Sequence, residues 1–353
     1  MVWGNSTLEE LRDIADIQKG TSITKGETRD GNIPVVAGGK DIAYYHNISN
    51  RDGNIITISA SGAYAGFVNY FATPIFASDC NTIKSKDESV ISTKLIYVLL
   101  QSIQPLIYEL QTGQAQPHVY GNDIATIKIP VPSIDVQRHI IEEIGKVDDS
   151  VLLSKRLIES CEAEIEELLS SIEYNDDALS NVAPFVVKSI KYADIVAETY
   201  ITTDNMLQNK LGIVPFVGEA NISSITEYKK DDILISNIRP YLKKIWFADK
   251  EGGCSKDVLV LRSANTSKYL PKYIFYMVRR DAFFDYVMEG KKGVKMPRGN
   301  KEDIQKYRIP IPPIEEQKRI VSQIEALELE ITNARNLIEN AASEKQAILD
   351  KYL

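Results

Sequence analysis

The chain contains Ile129-Pro-Val-Pro-Ser-Ile-Asp-Val-Gln137 and repeats it further on as Ile309-Pro-Ile-Pro-Pro-Ile-Glu-Glu-Gln317. Proline suits the first turn of a helix but not its interior, and the helix dipole favours acidic residues in that turn. Both copies therefore predict the start of a helix. The distance between the copies is too long for a solenoid repeat and fits one domain plus one connecting helix. The sequence thus predicts a domain followed by a helix, twice over.

The residues after each copy have the heptad spacing of a coiled coil. Apolar or small residues recur at alternating intervals of four and three, which is typical of a narrow seam between two helices. This helix-pair seam comprises Ile140, Ile144, Val147, Val151, Ile158, Ile165, Ile320, Ile324, Leu327, Ile331, Ile338 and Ile348. Two-fold pseudo-symmetry predicts that the helices pair antiparallel. The alternative is that each is an ordinary amphipathic helix packed on its own domain.

The repeat divides the 353 residues into four segments with different charges. They are a globular segment 1–129, a long helix 130–178, a second globular segment 179–308 and a second long helix 309–353. The net charge of −8 hides a contrast, because residues 130–180 hold 4 Lys and Arg against 13 Asp and Glu, whereas residues 181–308 hold 22 against 15. The second globular segment is therefore basic enough to face phosphate.

Composition and motifs argue against several classes of protein. The three cysteines stand far apart, without the spacing of a disulfide framework or a zinc site. The longest apolar runs fall short of the ~20 residues of a membrane helix, and the amino terminus lacks a basic-then-apolar leader, which favours a cytoplasmic location. No Gly-rich cofactor loop, Walker lysine loop or nuclease motif is present. We therefore expect no catalytic residue, no metal site and no cofactor bound by this chain.

Both globular segments mix strand-like runs and helices, which predicts an α/β (α+β) class, and carry polar, glycine-rich or basic loops after the strands. Loops on a rigid scaffold commonly hold recognition residues. Arg and Lys neutralise phosphates or bond guanine, and Asn and Gln pair with adenine. The residues expected to contact DNA are Gly38, Gly39, Lys40, Ser59, Ser61, Tyr64, Gln114, Gln116, His118, Thr202, Asn205, Asn237, Arg239, Tyr241, Lys243, Lys244, Lys291, Lys292, Lys295 and Arg298. The alternative is that they are solvated loop residues.

Further motifs accompany the doubled Ile-Pro-x-Pro stretch in a fixed order. They are Ser59-Ala-Ser-Gly-Ala-Tyr-Ala-Gly66, Ile75-Phe-Ala-Ser-Asp-Cys-Asn81, Tyr200-Ile-Thr-Thr-Asp-Asn-Met206, Ile235-Ser-Asn-Ile-Arg-Pro-Tyr-Leu-Lys-Lys244 and Gly253-Cys-Ser-Lys-Asp257. With them, the chain resembles the specificity (S) subunit of type I restriction-modification systems over essentially its whole length. The resemblance implies two α/β target recognition domains with strongly twisted sheets, residues 1–129 and 179–308, separated by two antiparallel helices.

The resemblance also implies a division of labour. Each domain would read one half of a split double-stranded DNA target, while the helices set the spacer and dock two methyltransferase (M) subunits. S-adenosylmethionine, ATP and Mg are expected on the M and restriction (R) subunits, and the S subunit itself has no chemistry. Two alternatives stay open: the recognition part of a fused or type IIB-like restriction-methylation enzyme, and a coiled-coil scaffold that binds only protein.

Overall fold

The computed structural model describes residues 8–113, 115–218, 220, 222–291, 293 and 296–353. The chain forms two compact units, one of Met1–Lys155 with Arg335–Leu353 and the other of Arg156–Ala334. Each unit therefore contains one globular part and a piece of both long helices. Within the described part of the chain, no helix has the length and apolar character needed to cross a membrane.

The first unit is built on two small sheets and a two-stranded sheet formed by its first and last strands. Its elements are β1 (Leu8–Glu10), α1 (Leu11–Ile14), β2 (Ala15–Lys19), a 3-10 turn (Lys25–Glu27), β3 (Ile33–Val36), β4 (Tyr44–His46), β5 (Ile55–Ser59), β6 (Val68–Phe71), β7 (Phe76–Ala77), β8 (Cys80–Ser85), α2 (Thr93–Ser102), α3 (Gln104–Tyr108), α4 (Gly121–Ile124), β9 (Lys128–Pro130) and α5 (Ile134–Ser170). Four strands form an antiparallel sheet in the order β2-β8-β5-β6, and β3 lies between β4 and β7. Strand β5 is buried along its whole length because it is central, and its isoleucines Ile56 and Ile58 belong to the same core as the apolar side chains of α2.

The second unit repeats this plan. Its elements, after the end of α5, are β10 (Asp176–Ala178), α6 (Leu179–Val182), β11 (Ser189–Lys191), 3-10 turns (Tyr192–Asp194 and Ala197–Thr199), β12 (Tyr200–Ile201), β13 (Ser224–Tyr228), β14 (Ile233–Ser236), a 3-10 turn (Pro240–Leu242), β15 (Ile245–Phe247), β16 (Gly252–Cys254), β17 (Val258–Leu261), α7 (Pro271–Arg279), α8 (Asp281–Glu289), α9 (Lys301–Lys306), β18 (Arg308–Pro310) and α10 (Ile314–Tyr352). The order β15-β14-β17 corresponds to β6-β5-β8, and the second sheet runs β11-β13-β16-β12. The predicted α/β class with an internal duplication is confirmed.

The long helices α5 and α10 run antiparallel within each unit. In the first unit Lys345 pairs with Asp148, and Lys351 Nζ lies 2.9 Å from Glu143 Oε1, so residue numbers rise on one helix as they fall on the other. In the second unit Cys161 Sγ lies 3.8 Å from Glu330 Oε2. The residues of the predicted seam are buried or half-buried. Near the globular parts the helices bury a second stripe as well, which includes Leu169, Val321 and Leu349.

A fully buried glutamine fixes the start of α5 to the first globular part. The Gln137 side chain accepts a hydrogen bond at Oε1 from the Ser92 backbone N–H, at 2.9 Å. Its Nε2 donates to the carbonyl oxygens of Val90, at 2.7 Å, and Pro132, at 3.0 Å. One amide thus joins the turn before α2, the proline before α5 and the first turn of α5.

The second unit contains the same arrangement at the matching position of the repeat. Gln317 is fully buried, accepts from the Leu270 N–H at 2.8 Å, and donates to the carbonyl oxygens of Lys268, at 2.9 Å, and Pro312, at 2.8 Å. Buried amides keep all their hydrogen-bonding groups paired when the site is built for them. The glutamine that ends the repeated sequence motif therefore orients each long helix on its globular part through these hydrogen bonds.

Candidate nucleic-acid interface

Three loops meet on one side of the first unit. The first three-loop face consists of residues 38–40 after β3, residues 59–66 after β5, and residues 113 and 115–118 after α3. The Gly62 N–H donates to Pro117 O at 3.0 Å, and Ser59 Oγ donates to Gly39 O at 3.2 Å. A Cβ on Gly38 would lie 2.5 Å from the Ser61 carbonyl oxygen, so this close approach requires glycine. Loops that are distant in sequence are thus held as one surface.

The second unit has a corresponding surface. The second three-loop face consists of residues 202–210 after β12, residues 237–244 after β14, and residues 291, 293 and 296–298 after α8. The Arg239 N–H donates to Pro297 O at 2.8 Å, which joins the second and third loops. The Lys210 N–H donates to Lys243 O at 2.9 Å, which joins the first and second.

The two faces share their backbone hydrogen bonds. The bond from Gly62 N–H to Pro117 O in the first unit corresponds to the bond from Arg239 N–H to Pro297 O in the second. Isolated β-bridges lie beside both, Ser61 with His118 and Ile238 with Arg298. Pro117 and Pro297 match in the register of the sequence repeat, whereas that register would match Gly62 to Leu242 and not to Arg239. The backbone of the face is therefore duplicated while most of its side chains differ.

Left-handed backbone occurs at the same two places in both faces. Gly62 and Gly66 have φ values of 85° and 91° in the first face, and Arg239 and Lys243 have φ values of 50° in the second. Glycine takes this conformation without strain, whereas a long side chain is disfavoured there, and such strain clusters at functional sites. The second unit keeps two long cations where the first unit has glycine.

The structure places the predicted residues that it describes, in each unit, on its three-loop face. The exposed ones are Gly39, Lys40, Tyr64, Gln116, Arg239, Tyr241, Lys291 and Arg298. The half-buried ones are Gly38, Ser61, His118, Thr202, Lys243 and Lys244. Three of the predicted residues, Gln114, Lys292 and Lys295, lie outside the described residues. Of the exposed cations, Arg239 makes no side-chain hydrogen bond or ion pair with residues that the structure describes.

Three predicted residues, Ser59, Asn205 and Asn237, have buried side chains. The Asn205 amide accepts from the Thr202 N–H at 2.7 Å and donates to the carbonyl oxygens of Tyr200 and Val214. Asn237 Oδ1 is buried and, among the described residues, has no hydrogen-bond partner. Ser59 and Asn205 therefore brace the loops from within.

Two predicted lysines of the second face are bound to the protein itself. Lys243 Nζ lies 2.9 Å from Asp281 Oδ1, which Lys210 Nζ also contacts at 2.5 Å. Burial raises the pKa of Asp281, but the hydrogen bonds from both lysines outweigh it and hold that pKa below its ordinary value. Lys244 Nζ donates to Thr203 O at 2.6 Å. Both lysines thus stabilise the loops while adding positive charge to the face.

Sequence reasoning missed two features of these faces. Asp79 accepts a hydrogen bond from Ser61 Oγ in the first face, and Asp257 Oδ1 lies 3.4 Å from Arg298 in the second. A hairpin closed by the Met206–Ile213 bridge also joins the second face, where the Asn209 N–H donates to Leu242 O. Leu211, 60% exposed, is at its tip. The turn residues around Leu211 were a usable sequence signal.

Among the described residues of the two faces, no group of side chains has the make-up of a catalytic centre. The buried thiols of Cys80 and Cys254 have pKa values raised by burial to about 12, which keeps them protonated. Across the residues that the structure describes, no three His, Cys, Asp or Glu side chains are grouped so that they could hold a metal ion. What the faces offer is exposed hydrogen-bonding, aromatic and cationic side chains on a fixed backbone.

The family model of the type I restriction modification DNA specificity domain matches residues 5–163 and 191–340. The chain belongs to this family. The two matched ranges each contain one three-loop face. This membership confirms the predicted specificity-subunit class and its role in DNA recognition, without catalytic activity of its own. Specificity subunits of this family carry no catalytic cofactor.

Relatives and solved structures agree with this assignment. The specificity subunit of the type I restriction enzyme EcoDI from Escherichia coli is 23% identical over 322 residues, which are 74% of this chain and 69% of that one. The crystal structure of the type I S subunit from M. genitalium superposes with a TM-score of 0.67 at 16% identity, over 99% of this chain and 97% of that one. A chain from a structural study of complex assembly in a type I system gives a TM-score of 0.54 at 16% identity, over 99% and 98%. These structures support the fold.

Proposed function

We propose that each unit binds one half of a split DNA target through its three-loop face. The observation that carries this proposal is the duplicated backbone with different side chains: Gly62, Gly66 and His118 in the first face stand where Arg239, Lys243 and Arg298 stand in the second. Two domains with the same backbone and different exposed side chains dock on DNA in the same orientation and bind different base sequences. The specificity family supplies the ligand, which is double-stranded DNA.

The long helices set the spacer between the half-sites and dock the partner subunits. Support comes from the repeated heptad seam and from Gln137 and Gln317, which orient α5 and α10 identically on their globular parts. The partners are two methyltransferase subunits and restriction subunits, and S-adenosylmethionine, ATP and Mg belong to them. The division of the chain into recognition domains 1–129 and 179–308 with spacers 130–178 and 309–353 is part of this proposal. A DNA-binding role also fits the cytoplasmic location expected from the sequence.

The test starts with DNA from cells that express this chain with its methyltransferase subunit. Sequencing of the methylated bases should give two short defined sequences separated by a spacer of fixed length. Replacing Arg239 with alanine should then reduce methylation by ten- to a hundredfold, because a cation bonded to a base or phosphate contributes ~1–3 kcal/mol. The preference for particular bases should become less strict in only one of the two methylated sequences.

Lys230→Ala is the matched control for Arg239→Ala. Lys230 is an exposed cation of the same unit, in the turn before β14, whereas Arg239 follows that strand, so the two lie toward opposite ends of it. The control should leave methylation unchanged. Equal effects of the two substitutions would show that only the net charge matters, and the second three-loop face would then not be the binding surface.

A further inference from the structure

One residue is identical at the tips of the two faces. The five residues that begin and end in left-handed backbone read Gly62-Ala-Tyr-Ala-Gly66 in the first unit and Arg239-Pro-Tyr-Leu-Lys243 in the second. Only the central tyrosine is shared. Tyr64 is 45% exposed and Tyr241 is 48% exposed, so neither ring is retained to fill a core.

The shared tyrosines do not brace the loops. Neither phenol hydroxyl makes a hydrogen bond with any residue in the described part of the chain. In the first unit Lys40 Nζ lies 4.9 Å from the centre of the Tyr64 ring. In the second, Arg239 and Lys243 are two residues away on either side of Tyr241. Each hydroxyl is therefore an available donor in a positively charged setting, which suits an anionic acceptor.

We propose that Tyr64 and Tyr241 make the same sequence-independent contact at both half-sites, by donating a hydrogen bond to a phosphate of the DNA backbone. This inference rests on the proposed function. A residue that is identical in two surfaces binding different sequences cannot supply the difference, whereas phosphates are the same at every half-site. Tyrosine hydroxyls are among the groups that bond phosphate oxygens and fix the register of a protein on the duplex. The residues around each tyrosine then select the bases.

The experiment compares tyrosine-to-phenylalanine variants of the complex purified with its methyltransferase subunit. Tyr64→Phe and Tyr241→Phe each remove one hydroxyl and keep the ring. Binding is measured on a pool of random-sequence duplexes and on the duplex identified by methylation sequencing. Each variant should bind both DNAs about tenfold more weakly, because a hydrogen bond to a charged group is lost. The double variant should lose about a hundredfold on both.

Two controls and three contrary outcomes complete the test. Tyr45→Phe and Tyr174→Phe remove hydroxyls from tyrosines that are 54% and 49% exposed elsewhere in the first and second units, and should leave binding unchanged. If the wild-type complex binds duplex DNA and the Tyr64 and Tyr241 variants bind equally well, the phosphate contact is refuted while the proposed function stands. A change in the methylated sequence would make the tyrosines base readers and overturn the inference. Failure of the wild type to bind any duplex would overturn both proposals.

Discussion

The buried glutamine at the start of α5 gives a quantitative prediction about how the long helix is held. Replacing Gln137 with leucine keeps the volume and leaves the Ser92 N–H and the carbonyl oxygens of Val90 and Pro132 without their partner. Each buried backbone group that loses its hydrogen bond costs ~1–3 kcal/mol, so the loss of all three should destabilise the first turns of α5 by at least about 3 kcal/mol. Gln137→Glu keeps the acceptor but loses both donated hydrogen bonds and should be no better tolerated.

Hydrogen–deuterium exchange resolved along the chain is the appropriate assay, because a chain of two units need not unfold in one transition. Gln137→Leu should reduce protection in residues 134–145 and leave residues 314–325 as in the wild type. Gln317→Leu should give the reverse result. Exchange also localises the effect, which a global unfolding midpoint would not do.

Gln323→Leu is the matched control, since this glutamine is exposed on α10 and its side chain hydrogen-bonds only to Arg319 among the described residues. It should change protection little. A loss below about 1 kcal/mol for Gln137→Leu would mean that the three hydrogen bonds are replaced by water or by relaxed geometry. Equal loss of protection in both units would also refute the local role assigned to each glutamine.

Two further predictions concern the second face and the spacer. Asp281, whose pKa is held below its ordinary value by Lys210 and Lys243, contributes stability that is present above the ordinary aspartate pKa of about 3.9 and lost as pH falls through its lower folded-state pKa. The difference in thermal midpoint between the wild type and Asp281→Asn should therefore vanish in strong acid, and a constant difference would exclude this ion pair as its cause. Deleting the heptads 154–160 and 334–340 together should shorten the methylated spacer by about three base pairs, since seven helical residues span ~10.5 Å. Altered half-site sequences would instead make the helices readers of DNA.

Much of this fold could be predicted because its signals are local. Proline and acidic residues mark the starts of α5 and α10, and the heptad spacing marks the side that each helix buries. The seam was nevertheless incomplete, because Leu169, Val321 and Leu349 are also buried and belong to the cores that contain the globular parts. A stripe that exists only through packing against another element has no period of its own in the sequence.

The sequence predicted which types of residue the candidate site contains, but it did not predict the role of each side chain. Composition identified Arg239 and Asn205 equally as DNA contacts, yet the first is exposed and the second pairs its amide inside the unit. The ion pairs of Asp281 join it to Lys210 and Lys243, which are distant in the chain, and no local pattern encodes such a partner.

The sequence by itself determined the duplication, the helix starts, the heptad register and the specificity family, because each is written in short stretches of neighbouring residues. Only the tertiary structure decided which loops share a face, which of their polar side chains stay exposed, and that Tyr64 is equivalent to Tyr241 and not to Lys244, its match in the register of the repeat. Those properties depend on contacts between distant segments. The backbone hydrogen bonds to the Pro117 and Pro297 carbonyl oxygens hold these segments together. Every residue has backbone hydrogen-bonding groups, so such bonds cannot be read from residue type.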